Sequence, residues 1–405
     1  MLIQRRTFIK MSSLATASLL VPRMLRAIAR NTGNTIPASN RVMIVLQLDG
    51  GNDGLNTVIP VRNDIYYRSR PTLGLKQDKV LLLTDEVGLH PGLSSFKSLY
   101  DEGNLGILNS VGYPDPDRSH FRSMDIWQSA SQSNEVWQTG WLGRYLDVQC
   151  RDCALPTQAL EIDDTLSLAL KGELQKAIAL KDPKQLYNNS HRDYLKGLSQ
   201  AHRPDVHQLE HERPVDYLYK TMAGTLSSAD YIFEKSNAST TAAEYPKTEL
   251  GKNLKTIASL ILSDCNTQVY YLSTGSFDTH VNQQGQQARL FGQINEAIAA
   301  FTKDMKDNNR FDDVLLFTFS EFGRRVAQNA SDGTDHGTAN NMFFIGGGLR
   351  QKGLLNALPD LEVLQDGDLK YKVDFKSVYA TLLKNWLGAD DKKILGREMA
   401  YMDFV

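Results

Sequence analysis

The sequence predicts an α/β fold, a three-layer sandwich with a mostly parallel central sheet, and two observations predict it. From Arg41 onward, strand-like apolar runs alternate with amphipathic helical stretches, the pattern of a sheet covered by helices on both faces. Acidic and histidine residues recur where those runs stop: Asp49 after RVMIVLQL, Asp278 and His280 past TQVYYLS, Glu321 after DDVLLFTFS. Open α/β sheets gather ligands at the carboxyl ends of their strands, so these three ends are expected to share one site.

The elements follow in order. Strands are expected at 42–48, 79–84, 104–110, 267–273, 313–319 and 341–346. Helices are expected at 92–102, with Leu93, Phe96, Leu99 and Tyr100 on one face, and at 248–263, where Leu250, Leu254, Ile257 and Ile261 recur at helical spacing. Further amphipathic stretches cover 283–307 and 375–387. Between 184 and 247 the composition turns polar and ends in SNASTTAAEYP, which reads as a helical insertion or cap. It holds His191, His202, His207 and His211; the last pair has ligand spacing but no H-E-x-x-H-type carboxylate, so all four read as solvated surface residues.

The first 29 residues read as an address. Gln4-Arg5-Arg6-Thr7-Phe8-Ile9-Lys10 matches the twin-arginine pattern, a short apolar stretch follows, and Ala27-Ile28-Ala29 offers a small-x-small cleavage site. Transport by the twin-arginine translocase to the periplasm or medium is therefore expected. That pathway carries proteins already folded, which suits a preassembled metal site. Beyond the leader no apolar run reaches the roughly 20 residues needed to span a bilayer. A net charge of −2 with 41% hydrophobic residues describes a globular chain and excludes a nucleic-acid binder, which carries a basic surplus. Cys150 and Cys153 form a C-x-x-C and Cys265 stands alone; the pair reads as two semi-buried thiols or as a redox or structural-metal pair.

Five clusters carry chemistry. In LDGGNDGLN, the glycines after Asp49 let a loop wrap a hard cation, or Asp49 and Asn52 make Asx turns. In FDTH, Asp278 and His280 can face one point, and mixed carboxylate–imidazole ligation suits Zn, Mn or Fe better than Mg or Ca; the alternative is a helix cap with a packed ring. In SEFGRR, Glu321 sits at the level of Asp49, and Arg324 and Arg325 clamp an anion or form a salt-bridging turn. In DGTDHGT, His336 is a candidate imidazole ligand with Asp335 as second ligand or orienter. Ser119, in RSHFRSMD, is an N-cap candidate, and free N–H groups at a helix start form an anion site. A hydroxyl there is a candidate nucleophile, with His120 and Arg122 beside it; otherwise Ser119 is a simple cap and His120 a packed or solvated ring.

Together LQLDGGNDGLNTVIP, GLHPGLSSF, GYPDPDRSHFRSMDIW, TGWLGRYLD, FDTH, SEFGRR and DHGTANNMFFIGGG resemble, over residues 41–388, the twin-arginine-exported proteins of domain-of-unknown-function family 1501. That family is placed in the alkaline phosphatase/sulfatase superfamily. The resemblance implies an alkaline-phosphatase-like sandwich with a two-metal site and a nucleophile at a helix N-terminus. Asp49 and Glu321 would hold one metal with the nucleophile, and Asp278, His280 and His336 the other. The chain departs from the superfamily where a carboxylate–histidine pair is replaced by Glu321-Phe322, and it lacks the sulfatase Cys/Ser-x-Pro-x-Arg pattern. The expected function is thus an exported, metal-dependent hydrolase of phosphate or sulfate esters, acting on a small-molecule or envelope-derived substrate. Ser119 or a water would attack, with Arg122, Arg144 or Arg324 on the non-bridging oxygens. The alternative is an inactive exported binding or assembly protein on the same fold.

Overall fold

A computed structural model describes residues 40–150, 157–175, 177–192 and 214–405, the side chains of 214–225 excepted. The expected leader at 1–29, Cys153, His202, His207 and His211 lie outside the described residues. The strands are β1 (Val42–Leu48), β2 (Val58–Pro60), β3 (Leu81–Leu82), β4 (Val87–Leu89), β5 (Leu105–Gly112), β6 (Ala159–Glu161) and β7 (Ile178–Ala179). They continue with β8 (Val269–Thr274), β9 (Val314–Phe319), β10 (Asn340–Ile345), β11 (Gly353–Leu354), β12 (Leu364–Gln365), β13 (Asp368–Leu369) and β14 (Val373–Asp374). The main helices are α1 (Asp64–Ser69), α2 (Ser94–Asp101), α3 (His120–Ser129), α4 (Trp141–Gln149), α5 (Pro183–Ser190), α6 (Pro214–Ala238), α7 (Glu249–Leu262), α8 (Gln283–Asp307) and α9 (Phe375–Thr381).

A nine-stranded sheet runs in the order β11-β5-β10-β9-β1-β8-β6-β7, with β14 also on β5. Every pairing in it is parallel except those of β10, which runs against both β5 and β9. This is the mostly parallel α/β sandwich that the sequence predicts. β1 is buried along its whole length, as a central strand covered on both faces must be. Its side chains alternate between two cores. Val42, Ile44 and Leu46 face the layer of α2, α7 and α8. Met43 and Val45 face the layer of α3, α4 and α9.

The helices form where apolar spacing meets a cap. α7 starts at Thr248, whose hydroxyl accepts from Gly251 N–H, and buries Leu250, Leu254, Ile257 and Ile261. α5 and α6 are the described helices of the 184–247 insertion. They pack through Tyr187 and Phe233, ring centroids 4.2 Å apart, and α6 places Ala229 and Ile232 in the main core. His191 lies half-buried against the Tyr187 ring.

Two expectations need correction. The run 79–84 is no strand of the main sheet: only Leu81–Leu82 is extended, pairing with β4 in a separate three-stranded sheet, because Leu82 is exposed and has no core face to fill. Cys150 is disulfide-bonded rather than a thiol, while Cys265 is free.

Glu161, on β6, is buried, and burial pushes its pKa from 4.5 up to about 7 against the pull of Ser167 N–H, which donates to Oε2 at 2.6 Å. The folded chain therefore holds a proton that the unfolded chain has released between about pH 4.5 and pH 7. Stability falls as pH rises through that window, by roughly 3 kcal/mol from this group. Glu161→Gln is expected to match the wild type in urea unfolding at pH 5 and to exceed it by about that amount at pH 8.5; equal stabilities at both pH values would refute this.

Candidate functional site

The sheet directions bring the chemistry to one edge. β9, β1 and β8 are adjacent and parallel, so Glu321, Asp49 and the Asp278–His280 segment emerge side by side. β10 is antiparallel, so the loop that enters it, carrying His336, starts at the same edge. β5 ends there too and leads through Tyr113–Ser119 into α3, whose first residue is His120.

Close backbone approach holds these loops together. Gly50 has φ +115°, and a Cβ there would lie 2.5 Å from Asp278 N; a Cβ on Gly51 would lie 2.3 Å from the Phe322 ring. Only glycine lets the β1 loop slip between the other two. Arg324 staples them. Its Nε donates to Gly51 O at 2.6 Å, Nη1 to Thr334 O at 2.8 Å, and Nη2 to Gly50 O, to Phe277 O at 3.1 Å and to Asp278 Oδ1 at 2.6 Å.

Around Asp278 stand three imidazoles. His280 Nε2 is 3.0 Å and His336 Nε2 3.2 Å from Asp278 Oδ1, and the two Nε2 atoms are 3.0 Å apart. His120 Nε2 lies 3.5 Å from Asp278 Oδ2. Each ring is fixed from behind through Nδ1: His280 by Asp335 Oδ1 at 3.2 Å, His336 by Arg118 O at 2.8 Å, His120 by Glu321 Oε1 at 2.8 Å. Those three partners are acceptors, which favours a proton on each Nδ1. The Nε2 atoms face the Asp278 carboxylate, and Arg324 Nη1 lies 3.4 Å from His280 Nε2. His120 Nε2 is buried and makes no hydrogen bond, its Asp278 contact being an ion-pair distance only. One ligand atom each from His120, Asp278 and His336 lie within 4.8 Å of one another.

The electrostatics agree. Burial raises the pKa of Asp278, but the Arg324 hydrogen bond and charge, helped by His336 and His280, more than offset it and hold it at about 2. The hydrogen bond to Glu321 raises the pKa of His120 despite partial burial. Asp49 has a raised pKa, from partial burial first and the Glu321 charge second.

The site residues expected from sequence divide on geometry. His120, Asp278, His280 and His336 converge. Asp49 stands beside them without an ion pair or side-chain hydrogen bond among the described residues. Ser119 is the exposed N-cap of α3, its hydroxyl making no capping bond. Glu321 is fully buried and committed: Oε1 accepts from Gly50 N–H at 2.9 Å and from His120, and the Ser320 hydroxyl is 3.1 Å from Oε2. Its Oε1 holds His120 Nδ1 and Gly50 N–H. The three arginines are also hydrogen-bonded within the fold. Arg324 spends its donors on carbonyls, Asp278 and, at 3.4 Å, His280 Nε2. Arg122 Nη2 donates to the carbonyls of Gln132 and Ser133 at 3.2 and 3.0 Å. Arg144 donates to the carbonyls of Ile394, Thr139 and Ser129 and lies against the Trp137 ring. Burial lowers its pKa to about 10.

Sequence reasoning missed the support beneath the ligand loops. Gln283, the first residue of α8, is fully buried, and its Oε1 accepts from the hydroxyls of Thr279 at 3.1 Å and Thr334 at 2.6 Å. Its Nε2 donates to Asp53, which pairs with buried Arg70.

A mostly parallel α/β sandwich with histidines and an aspartate at its carboxyl edge is the class that fold and site define. The chain belongs to the family described as "protein of unknown function (DUF1501)", which it matches over residues 102–400. No curated protein matches it. Among solved structures it is similar to the lipoteichoic acid synthase LtaP from Listeria monocytogenes, with 9% identity, 93% of this chain and 82% of that one covered, and a TM-score of 0.40. It is similar also to the PsFucS1 sulfatase from Pseudoalteromonas sp., with 10% identity, coverage of 95% and 75%, and a TM-score of 0.42. A third is a protein in the alkaline phosphatase superfamily from Vibrio parahaemolyticus, with 10% identity, coverage of 95% and 80%, and a TM-score of 0.36.

Proposed function

We propose that this protein is an exported hydrolase of phosphate or sulfate esters that works with one divalent ion held by His120, Asp278, His280 and His336. The observation that carries the reading is the set of three imidazoles, each anchored at Nδ1 and each presenting Nε2 towards Asp278. Mixed nitrogen and carboxylate donors favour Zn, Mn or Fe over Mg or Ca. An ion bound there would supply Lewis acidity and charge neutralisation for an ester oxygen.

The chain's own residues do the rest. α3 begins at His120, inside the group, and has no side-chain cap. Its first amides therefore remain to bind an anionic ester oxygen, with the helix dipole in favour. Ser119, exposed at that same N-terminus with no capping bond from its hydroxyl, supplies the attacking group. Asp49 is the free carboxylate beside the group. Export is supported by the twin-arginine pattern at Arg5-Arg6 and by the Cys150 disulfide, which belongs to an oxidising compartment. No helix among the described residues is long and apolar enough to cross a membrane.

The test is elemental analysis of the exported protein beside His280→Ala and Ser119→Ala, with turnover of phosphate and sulfate monoesters. The wild type is expected to carry about one Zn, Mn or Fe per chain and to turn over at least one ester class. His280→Ala should lose metal and turnover, and Ser119→Ala turnover alone. Two ions per chain would refute the single-ion site. A wild type that stays empty after added metal would refute the hydrolase and leave an inactive binding protein.

A further inference from the structure

Beside the ligand group lies a cavity of about 490 Å³, walled by the Gly112–Arg118 turn, Phe322, and the Gln365–Tyr371 hairpin. It falls within the range of roughly 300–1,000 Å³ typical of small-ligand sites. Cavity and ligand group share two residues. Arg118 lines the cavity and its carbonyl fixes His336. Phe322 lines it too, with its ring 4.9 Å from His120 and 4.7 Å from His336 between centroids. A molecule with its ester at the imidazoles thus has this cavity next to it for the remaining portion.

The wall chemistry selects what that portion is. Asp115, Asp117 and Asp366 face two cations, Arg118 and Lys370, and the Arg118 charge is already met by buried Asp368. A second phosphate, sulfate or carboxylate is therefore repelled. The carboxylates of Asp115 and Asp366 make no hydrogen bond or ion pair among the described residues, so the wall is rich in acceptors. Arg118, which lines the cavity, also holds a buried donor, Nε, that makes no hydrogen bond, so the wall offers a donor beside its carboxylate acceptors. A hydroxyl donates and accepts, so it answers both kinds of group. An acyl chain answers neither and leaves them desolvated. Tyr371, 38% exposed, adds an aromatic face to the same wall, suited to the apolar C–H face of a ring that is polar at its rim.

We infer that this cavity receives the alcohol portion of the ester and that this portion is an uncharged sugar. The inference rests on the ester-hydrolase reading for its chemistry, but the sugar site itself needs no metal. The probes are methyl glycosides of glucose, galactose and mannose with maltose and cellobiose, followed by saturation-transfer NMR on the full chain. At least one is expected to bind the wild type and His280→Ala alike, and to lose tenfold or more in affinity with Tyr371→Ala and with Asp366→Asn. Both substitutions lie away from the imidazoles, and unchanged metal content and circular dichroism will show the fold intact. For turnover, Tyr371→Ala should lower kcat/KM tenfold or more on the phosphate or sulfate ester of the bound sugar, and less than twofold on the p-nitrophenyl ester. Binding of no probe, or equal losses on both esters, overturns the inference even if p-nitrophenyl esters are hydrolysed. Sugar binding lost in the variants, with no ester hydrolysed, upholds the cavity and refutes the hydrolase.

Discussion

On the proposed single-ion reading, Asp278→Asn is expected to abolish metal binding while leaving the fold in place. The carboxylate is the one anion that all three inward-facing imidazoles share, at 3.0, 3.2 and 3.5 Å. Asparagine keeps the shape and one carbonyl oxygen but removes the charge, and its amide points two donor hydrogens at whichever ring it meets. Loss of a group that merely supports a ligand lowers metal affinity about 10–100-fold. Loss of the central ligand should exceed the upper end of that range. The fold should survive because Arg324, the partner of Asp278, keeps its hydrogen bonds to the carbonyls of Gly50, Gly51, Phe277 and Thr334. Competition titration against a chelator gives the affinity, and thermal melting gives the fold. Affinity within tenfold of wild type would show that Asp278 is no ligand and that its ion pair with Arg324 is its whole purpose.

Much of the fold was legible because β1, β8 and β9 are apolar runs with sharp ends, the signature of buried parallel strands, and β10 is buried too. The helix near 283–307 was legible, since Leu290, Ile294, Ala297 and Phe301 repeat at helical spacing. β6 and β7 were not, because three and two residues cannot show a period. The direction of β10 was illegible for a different reason. Apolar alternation is the same read either way, yet only the antiparallel direction puts His336 at the ligand edge. Site residue types were visible at strand ends, but their roles turned on partners distant in sequence. Glu321 and Arg324 look free in SEFGRR; in the fold one is held by Gly50 and His120, the other by four carbonyls. Arg70 and Gln283 gave no signal at all, because a lone arginine and a glutamine 230 residues from its aspartate form no pattern.

Those two residues carry the second large effect. Arg70→Met is expected to destabilise the chain by about 3–5 kcal/mol, the cost of leaving one member of a buried ion pair unpaired. Arg70 and Asp53 are each 1% exposed, joined at 2.5 Å and 3.0 Å. Methionine fills the volume of the arginine stem but leaves the Asp53 carboxylate with only Leu55 N–H and Gln283 Nε2. It also strands the carbonyls of Arg325 and Val326 and leaves Asn56 Oδ1 with the Tyr66 hydroxyl alone. The melting temperature should drop on the order of 10 °C. The damage should also reach the ligand loops. Asp53 holds Gln283, and Gln283 holds Thr279, between Asp278 and His280, and Thr334, two residues before His336. A Gln283→Leu variant should therefore weaken metal binding by about tenfold, the lower end of the effect of a supporting hydrogen bond, with a smaller loss of stability than Arg70→Met. The double variant Arg70→Met/Asp53→Leu removes both buried charges, so it should recover part of the lost stability but none of the metal affinity. Recovery of both would mean that the ion pair supports packing only and that the ligand loops hold their geometry without it.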